Sequence, residues 1–357
     1  MGEASGFRIA TGTKEVEARH RFDEARLEVF LREGLPGFAG PLRVRQFRGG
    51  QSNPTYEIGA ASGTLVLRRK PPGALVASAH AVDREFRVLR ALERAAFPAP
   101  RALLYCDDPG VIGTPFYVME RVEGRIFSNL LLPELTAPER AAAHDAVAET
   151  LARLHGLDPA ALGLADYGKP GNYFARQVHR WTRQYREAAP PEPIAAMERL
   201  IEWLPAHLPD DDSTSLVHGD FGLNNLMFHP SEPRIVAVLD WELSTLGHPF
   251  GDLTYLLSHR RSPQGRFREK SDAQLRELGI PTEFEFVAAY CRRTGRAGIP
   301  HLDFYLAFQL FRSAAILQGI AGRVRSGTAS GENAAALERS VRPLADLALS
   351  HAQRLGA

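Results

Sequence analysis

The sequence predicts an α+β protein of two lobes, a small strand-rich N-terminal lobe followed by a larger, mainly helical one. Three observations carry that expectation. A chain of 357 residues exceeds one ordinary domain of roughly 100–200 residues. Residues 42–67 read as short strand-like runs separated by Gly and Pro breaks. Beyond Gly124 the apolar spacing turns helical for most of the remaining chain. A hydrophobic content of 44% and a charged content of 24% match globular averages, which excludes a largely disordered, collagen-like or coiled-coil chain.

Taken in order, residues 1–20 are polar and aperiodic and are expected to form a flexible tail, with the lobes over 21–120 and 121–357. Leu27, Phe30 and Leu31 recur at helical spacing across 22–34, where Gly34 is a stop signal. Strands follow at 42–47, 55–58 and 64–67, the first two joined by the turn Arg48-Gly49-Gly50-Gln51-Ser52-Asn53-Pro54. Pro71-Pro72-Gly73 ends the third run. A helix is expected over 82–95 and a strand over 116–119. Thr136 and Glu139, with Pro138 between them, read as a capping box opening a helix with Ala143, Val147, Leu151 and Leu154 on one face. Helices are expected over 173–185 and 194–204, then a strand-rich stretch over 216–240, and a return to helix near Leu253. The C-terminal third reads as helices over 283–294, 302–325 and 334–355.

Several classes fall away on composition. No run approaches 18 uninterrupted apolar residues, so no membrane partner is expected. The N-terminus lacks the basic patch and apolar run of a secretory signal, and Gly6 stands where myristoylation wants Ser or Thr. Cys106 and Cys291 are too few for a disulfide framework. A cytoplasmic location is the expectation. A net charge of +1 gives no reason to expect nucleic acid. Residues 41–100 nevertheless carry ten Lys or Arg against four acids, either a solvated face or a lobe facing a polyanion such as a triphosphate.

The chemistry concentrates in 216–242. Two apolar runs flank a polar loop holding His218, Asp220 and Asn225, and a further run over 235–239 delivers Asp240, then Trp241 and Glu242. A hairpin over 226–239 would bring Asp240 back toward that loop. Hard cations such as Mg²⁺ take oxygen ligands, which Asn225 and Asp240 can supply, leaving Asp220 to accept a hydroxyl proton. No Walker A sequence occurs, and the His and Asp residues lack the dense spacing of a metallohydrolase.

His218-Gly219-Asp220 followed by Asn225, with Asp240-Trp241-Glu242 beyond, resembles the catalytic loop and metal motif of the aminoglycoside phosphotransferase and choline kinase superfamily, relatives of the protein kinases. The likeness extends over most of the chain. Residues 42–125 and 283–325 are similar to the kinase-like proteins associated with acyl-CoA dehydrogenases. The resemblance implies a bilobal protein-kinase-like fold, with a nucleotide-binding lobe over 21–120 and a catalytic and substrate-binding lobe over 121–357. It implies ATP and Mg²⁺ as cofactors and a small-molecule hydroxyl as acceptor, with a hydroxy acid or hydroxyacyl-CoA as one candidate class. The rival readings are a catalytically weak pseudokinase and an aminoglycoside or choline kinase.

Carried over by position, Asp220 becomes the base, Asn225 a Mg²⁺ ligand and Asp240 the principal one. Glu242 is either a water-mediated contact to a second Mg²⁺ or a surface residue. His218 and Asp252 hold the loop, and Trp241 is core. Gly49, Gly50, Ser52 and Asn53 would cover the phosphates. Strand alternation puts Val66, Arg68 and Lys70 on one face; the resemblance aligns Arg68 with the phosphate-binding Lys of kinases, Lys70 being the runner-up. Glu85 is its expected acidic partner. Met119, Glu120 and Val122 form the adenine-binding hinge. In the helical lobe, Arg176, His179, Arg180 and Arg183 on one helix and Tyr305, Gln309 and Arg312 on another are acceptor-pocket candidates. No acidic pocket suited to a polycationic acceptor is evident there, which favours a neutral or anionic one.

Overall fold

The computed structural model describes residues 12–48, 53–72, 81–188, 190, 192–261, 266–326 and 334–357. Strand β1 (Thr13–Lys14) precedes helix α1 (Glu24–Gly34), whose N-cap Asp23 accepts the Arg26 N–H at 3.0 Å. Strands β2 (Arg43–Phe47), β3 (Thr55–Ala60) and β4 (Gly63–Arg69) follow as an antiparallel meander. Helix α2 (Val82–Arg94), strand β5 (Ala102–Cys106), the one-turn α3 (Pro109–Ile112) and strand β6 (Phe116–Glu120) come next. The six strands form one antiparallel sheet in the order β1-β2-β3-β4-β6-β5. Leu27 and Leu31 of α1 pack with Tyr56, Ile58, Leu67, Phe116 and Val118 into its core.

After β7 (Arg125–Ile126), α4 (Ala137–His155) opens on the expected capping box, with the Thr136 N–H donating to Glu139 at 2.8 Å. Its Ala143, Val147, Leu151 and Leu154 are all buried. Helices α5 (Tyr173–Glu187) and α6 (Ala195–Ala206) lead to β8 (Ser215–Val217), β9 (Leu226–Phe228), β10 (Ile235–Val238) and β11 (Thr245–Gly247). Helices α7 (Phe250–Arg261), α8 (Asp272–Glu277), α9 (Glu283–Thr294), α10 (Leu302–Arg325) and α11 (Ala334–Gln353) complete the chain. Helix α10 is long and apolar enough by length and composition to cross a membrane; 72% of that window is buried, and it packs on α5, α7 and α11.

Two compact units emerge, and their boundary departs from the expected cut at residue 120. The first holds the chain up to Asn129 together with Ala160–Tyr167 and Leu223–Ser244; the second holds Leu130–Pro159, Gly168–Gly222 and the chain from Thr245. Pairing explains the returns. β9 pairs with both β7 and β10, which draws 223–244 to the first unit. Arg84 and Arg87 reach the backbone carbonyls of Tyr167 and Gly163 at 2.6 and 2.7 Å, anchoring 160–167.

One further expectation needs correction, and the basic excess follows the first of its two readings. Residues 1–20 are not wholly a free tail, since Thr13 and Lys14 pair with Phe47 and Gln46 and the Gln46 side chain accepts the Glu17 N–H at 3.1 Å. The basic excess of 41–100 is largely consumed within the protein. Arg45 pairs with Glu15, Arg68 with three carboxylates and Arg87 with Asp166. Arg84 and Arg94 bond backbone carbonyls, and Arg69 is buried against Phe22 and Tyr56.

In the second unit, burial and then the nearby Arg260 charge lower the pKa of His144 to about 3, and burial lowers that of His248 to about 4. The unfolded chain takes up these protons near the usual 6.5, whereas the folded chain refuses them until about 4 or lower. Their contribution is complete above pH about 6.5 and is lost as pH falls through the window toward 4. Urea unfolding followed from pH about 7 to about 5 should show falling stability, and a His144→Leu variant a shallower fall. A flat wild-type profile would contradict this.

Candidate active site

The first unit builds a buried charge cluster around Arg68. Strand alternation sends Arg69 to the core, where its Nη1 donates to the Ile112 carbonyl at 3.1 Å, and Arg68 to the opposite face. There the Arg68 guanidinium lies 2.9 Å from Glu85, 2.7 Å from Asp240 and 3.1 Å from Glu242. Glu85, on the first turn of α2, is 1% exposed. It also accepts from Asn53 at 2.8 Å and from the Tyr117 hydroxyl at 3.0 Å, Tyr117 being the cross-strand partner of Arg68. Burial pushes the Glu85 carboxyl up to about 7, with Arg68 opposing it. For Arg68 burial works against the charge, but the Glu85 and Asp240 carboxylates outweigh it and raise its pKa. Of the two candidate cations, Arg68 is the one paired with Glu85; Lys70 is half-buried, its backbone N–H on the Pro115 carbonyl.

Asp240 sits between β10 and a short helical turn over Trp241–Leu243, with φ 64 and ψ 69. This left-handed conformation is rare for a side chain with a Cβ, and Asp tolerates it better than most. The β9–β10 hairpin sets it there: the Leu239 N–H donates to the Asn225 carbonyl at 2.8 Å, bringing the chain back beside Asn225. Asn225 is buried, and its side-chain oxygen accepts from Asn224 at 3.1 Å. Trp241 is core, donating to the Val238 carbonyl and packing edge-on to Phe97.

Other assignments fare differently. Gly49, Gly50 and Ser52 lie outside the described residues. Asn53 is fully buried with its amide turned into the carboxylates of Glu85 and Glu242, a brace for the cluster. Glu242 is no free surface residue, since it shares Arg68 and Asn53. At the end of β6, Met119 pairs across from Val66, and Glu120 is held to Arg101 through its N–H and its carboxylate. The Glu120 N–H is therefore engaged within the sheet; Val122 follows that strand.

In the second unit the 218–220 loop is held by a buried acid. Asp252 on α7 accepts the backbone N–H groups of His218 at 2.6 Å and Gly219 at 2.8 Å. It also contacts His155 at 3.3 Å, itself 2.8 Å from the Tyr290 hydroxyl. Burial would raise the Asp252 pKa, but these partners hold it below the usual value. His218, fully buried, accepts the Asp220 N–H at 3.2 Å, an architectural role. The Asp220 carboxylate accepts from the Tyr255 hydroxyl, whose pKa rises through burial and the adjacent Asp220. Tyr255, one α-helix away and 35 residues on, left no signal in the motif.

A divalent cation fits the donor set of the first unit. Three carboxylates face one guanidinium, leaving a surplus of negative charge on hard oxygen donors. Asn225 and Asp240 would hold the ion, with Glu242 nearby. Among the described residues no group of three or more His, Cys, Asp or Glu forms a closed metal site. Mg²⁺ is usually held by one or two carboxylates together with phosphate and water.

The comparisons with known proteins agree with this architecture. Residues 43–305 match the model of the phosphotransferase enzyme family. Acyl-CoA dehydrogenase family member 11 of Gallus gallus is 46% identical over 356 residues, covering 97% of this chain and 46% of that protein. The chain thus spans about half the length of the curated relatives it matches. A crystal structure of a candidate aminoglycoside phosphotransferase from Ralstonia eutropha has a TM-score of 0.86 at 46% identity, covering 94% of this chain and 99% of that one. A thermostable aminoglycoside phosphotransferase mutant, solved as a ternary complex with AMP-PNP and hygromycin B, shares the fold (TM-score 0.59, 17% identity, 91% and 98% covered). The protein-kinase-like fold, the strand-borne Arg68–Glu85 pair and the extent of the family match lead to one conclusion: the chain belongs to the phosphotransferase enzyme family.

Proposed function

We propose that the protein is an ATP- and Mg²⁺-dependent phosphotransferase of the cytoplasm that moves the γ-phosphoryl group to a hydroxyl of a small molecule. The observation that carries the reading is the Arg68 guanidinium held among Glu85, Asp240 and Glu242. An ion pair between a strand cation and a helix acid is a component of kinase phosphate sites. Bound Mg²⁺ would neutralise phosphate charge. Arg68 offers planar donors to phosphate oxygens, while Glu85, Asn53 and Tyr117 keep it oriented. Asp220 takes the acceptor hydroxyl proton, and Tyr255 and His218 hold it in one orientation. The curated relatives are named for acyl-CoA dehydrogenation, so a hydroxy acid or hydroxyacyl-CoA is the favoured acceptor class.

A nucleotide-binding module without transfer is the second reading. It is favoured by Arg in place of the kinase Lys and by the fact that Arg68 already has three carboxylate partners. A mass-spectrometric screen of hydroxy acids, hydroxyacyl-CoAs, choline and aminoglycosides with ATP separates the two. The metal assignment has its own test. Asp240→Ala should abolish the Mg²⁺-dependent part of the ATP-induced thermal shift, because a ligand that binds only the folded state stabilises it more the tighter it binds. An undiminished Mg²⁺-dependent shift in that variant would rule out Asp240 as the principal ligand.

A further inference from the structure

We propose that Arg180 and Arg312 form a subsite for an anionic group, a carboxylate or a phosphate, of the phosphoryl acceptor; this rests on reading Asp220 as the acceptor-side base. Every residue involved lies in the second unit. The Arg180 guanidinium carbon on α5 is 5.1 Å from the Trp181 ring centroid. That of Arg312 on α10 is 5.4 Å from the same ring and 5.3 Å from the Tyr255 ring. Arg312 also donates to the Gly219 carbonyl at 2.9 Å, one residue before Asp220, and Tyr255 donates to Asp220 itself. Two cations therefore lie over one indole ring, and one of them, Arg312, also touches the loop that carries the base.

Among the described residues their charge has no acidic partner. Among the described residues no carboxylate lies within ion-pair distance of either guanidinium, and the groups acting on Arg180 are Arg312, Tyr173 and Arg183. Partial desolvation and then the like charge of Arg312 lower the Arg180 pKa. Two other cations of α5 are engaged elsewhere. Arg176 turns back to the Gly171 and Lys169 carbonyls, and Arg183 lies 3.8 Å from Glu187. Tyr305 and Gln309, candidate pocket residues from their helical spacing, are instead buried in the core at 1% exposure.

Like charges held together cost free energy that the indole face offsets in part and an anion would relieve. A planar guanidinium pair suits the oxygens of carboxylate or phosphate, and it repels a polycationic or quaternary ammonium acceptor. The subsite thus selects an acidic alcohol.

Arg312 braces the loop, so Arg180, which is solvent-exposed, gives the cleaner variant. The probes are 2-, 3- and 4-hydroxybutyrate, their primary amides, and coenzyme A, titrated calorimetrically into wild type and Arg180→Gln. Binding of at least one acid, or of coenzyme A, weakened about tenfold or more in Arg180→Gln is expected, with the amides failing to bind. Binding of the acids identifies a carboxylate; binding of coenzyme A alone identifies a phosphate. Equal binding of acids and amides, indifference to Arg180→Gln, or binding of neither anion overturns the subsite, even if phosphoryl transfer to another alcohol occurs. Arg180-dependent anion binding without ATP turnover on any acceptor leaves the subsite standing and removes the phosphotransferase reading instead.

Discussion

Asp220→Asn is expected to bind Mg²⁺-ATP about as well as wild type and to lose most phosphoryl transfer. The substitution preserves the local frame. An Asn carbonyl can still accept from Tyr255, and the backbone contacts through His218 and Asp252 are untouched. What disappears is the capacity to take the acceptor proton. General-base assistance typically contributes about 10²–10⁴-fold, on the order of 3–5 kcal/mol of barrier. The measurement is single-turnover transfer to the identified acceptor, paired with a nucleotide-binding titration. Background ATP hydrolysis is not an adequate substitute, since water need not use this carboxylate. Transfer by Asp220→Asn at near the wild-type rate would show that the base has been assigned to the wrong residue.

Arg68→Ala is expected to damage the fold as well as the chemistry. Its guanidinium stands against Glu85, Asp240 and Glu242, and Glu85 is almost fully enclosed. Removing it leaves three acids together, with Asn53 and Tyr117 still donating to Glu85. Breaking a buried pair from one side typically costs about 3–5 kcal/mol, because the surviving charge stays desolvated. Chemical denaturation at neutral pH reads this directly. Adding Glu85→Gln to Arg68→Ala should restore part of the loss, a coupling that a double-mutant cycle quantifies. Lys70→Ala should change stability little. An Arg68→Ala protein as stable as wild type would mean that the cluster is not the electrostatic keystone described above.

The unequal legibility of these features has physical causes. Period-two alternation through residues 65–70 already separated Arg68 from Arg69, because a strand must send neighbours to opposite faces. The capping box at Thr136 and the apolar stripe behind it were equally plain, since both are local rules. Asp220, Asn225 and Asp240 stand out as a set from the polar loop and the apolar run that delivers Asp240, whereas Glu85 as partner comes through resemblance. Strand β5 was hidden by the register shift between Ala102 and Leu104, which breaks the alternation that announces a strand. Strands β1 and β7, two residues each, are too short to carry any period. Tyr255 and the inward turn of Asn53 depend on where distant segments pack, and no spacing rule encodes that.

The left-handed backbone at Asp240 has a consequence for how this position can change over generations. Glycine and asparagine share with aspartate a tolerance for that conformation, whereas β-branched and bulky side chains do not. Neutral drift at this codon is thereby channelled into a narrow corridor. Within it, glycine would relax the backbone and delete the oxygen donor, and asparagine would keep a donor while discarding the charge. A lineage that leaves aspartate here can thus lose the carboxylate proposed as the principal metal ligand while keeping the backbone turn that carries it, a change one substitution away.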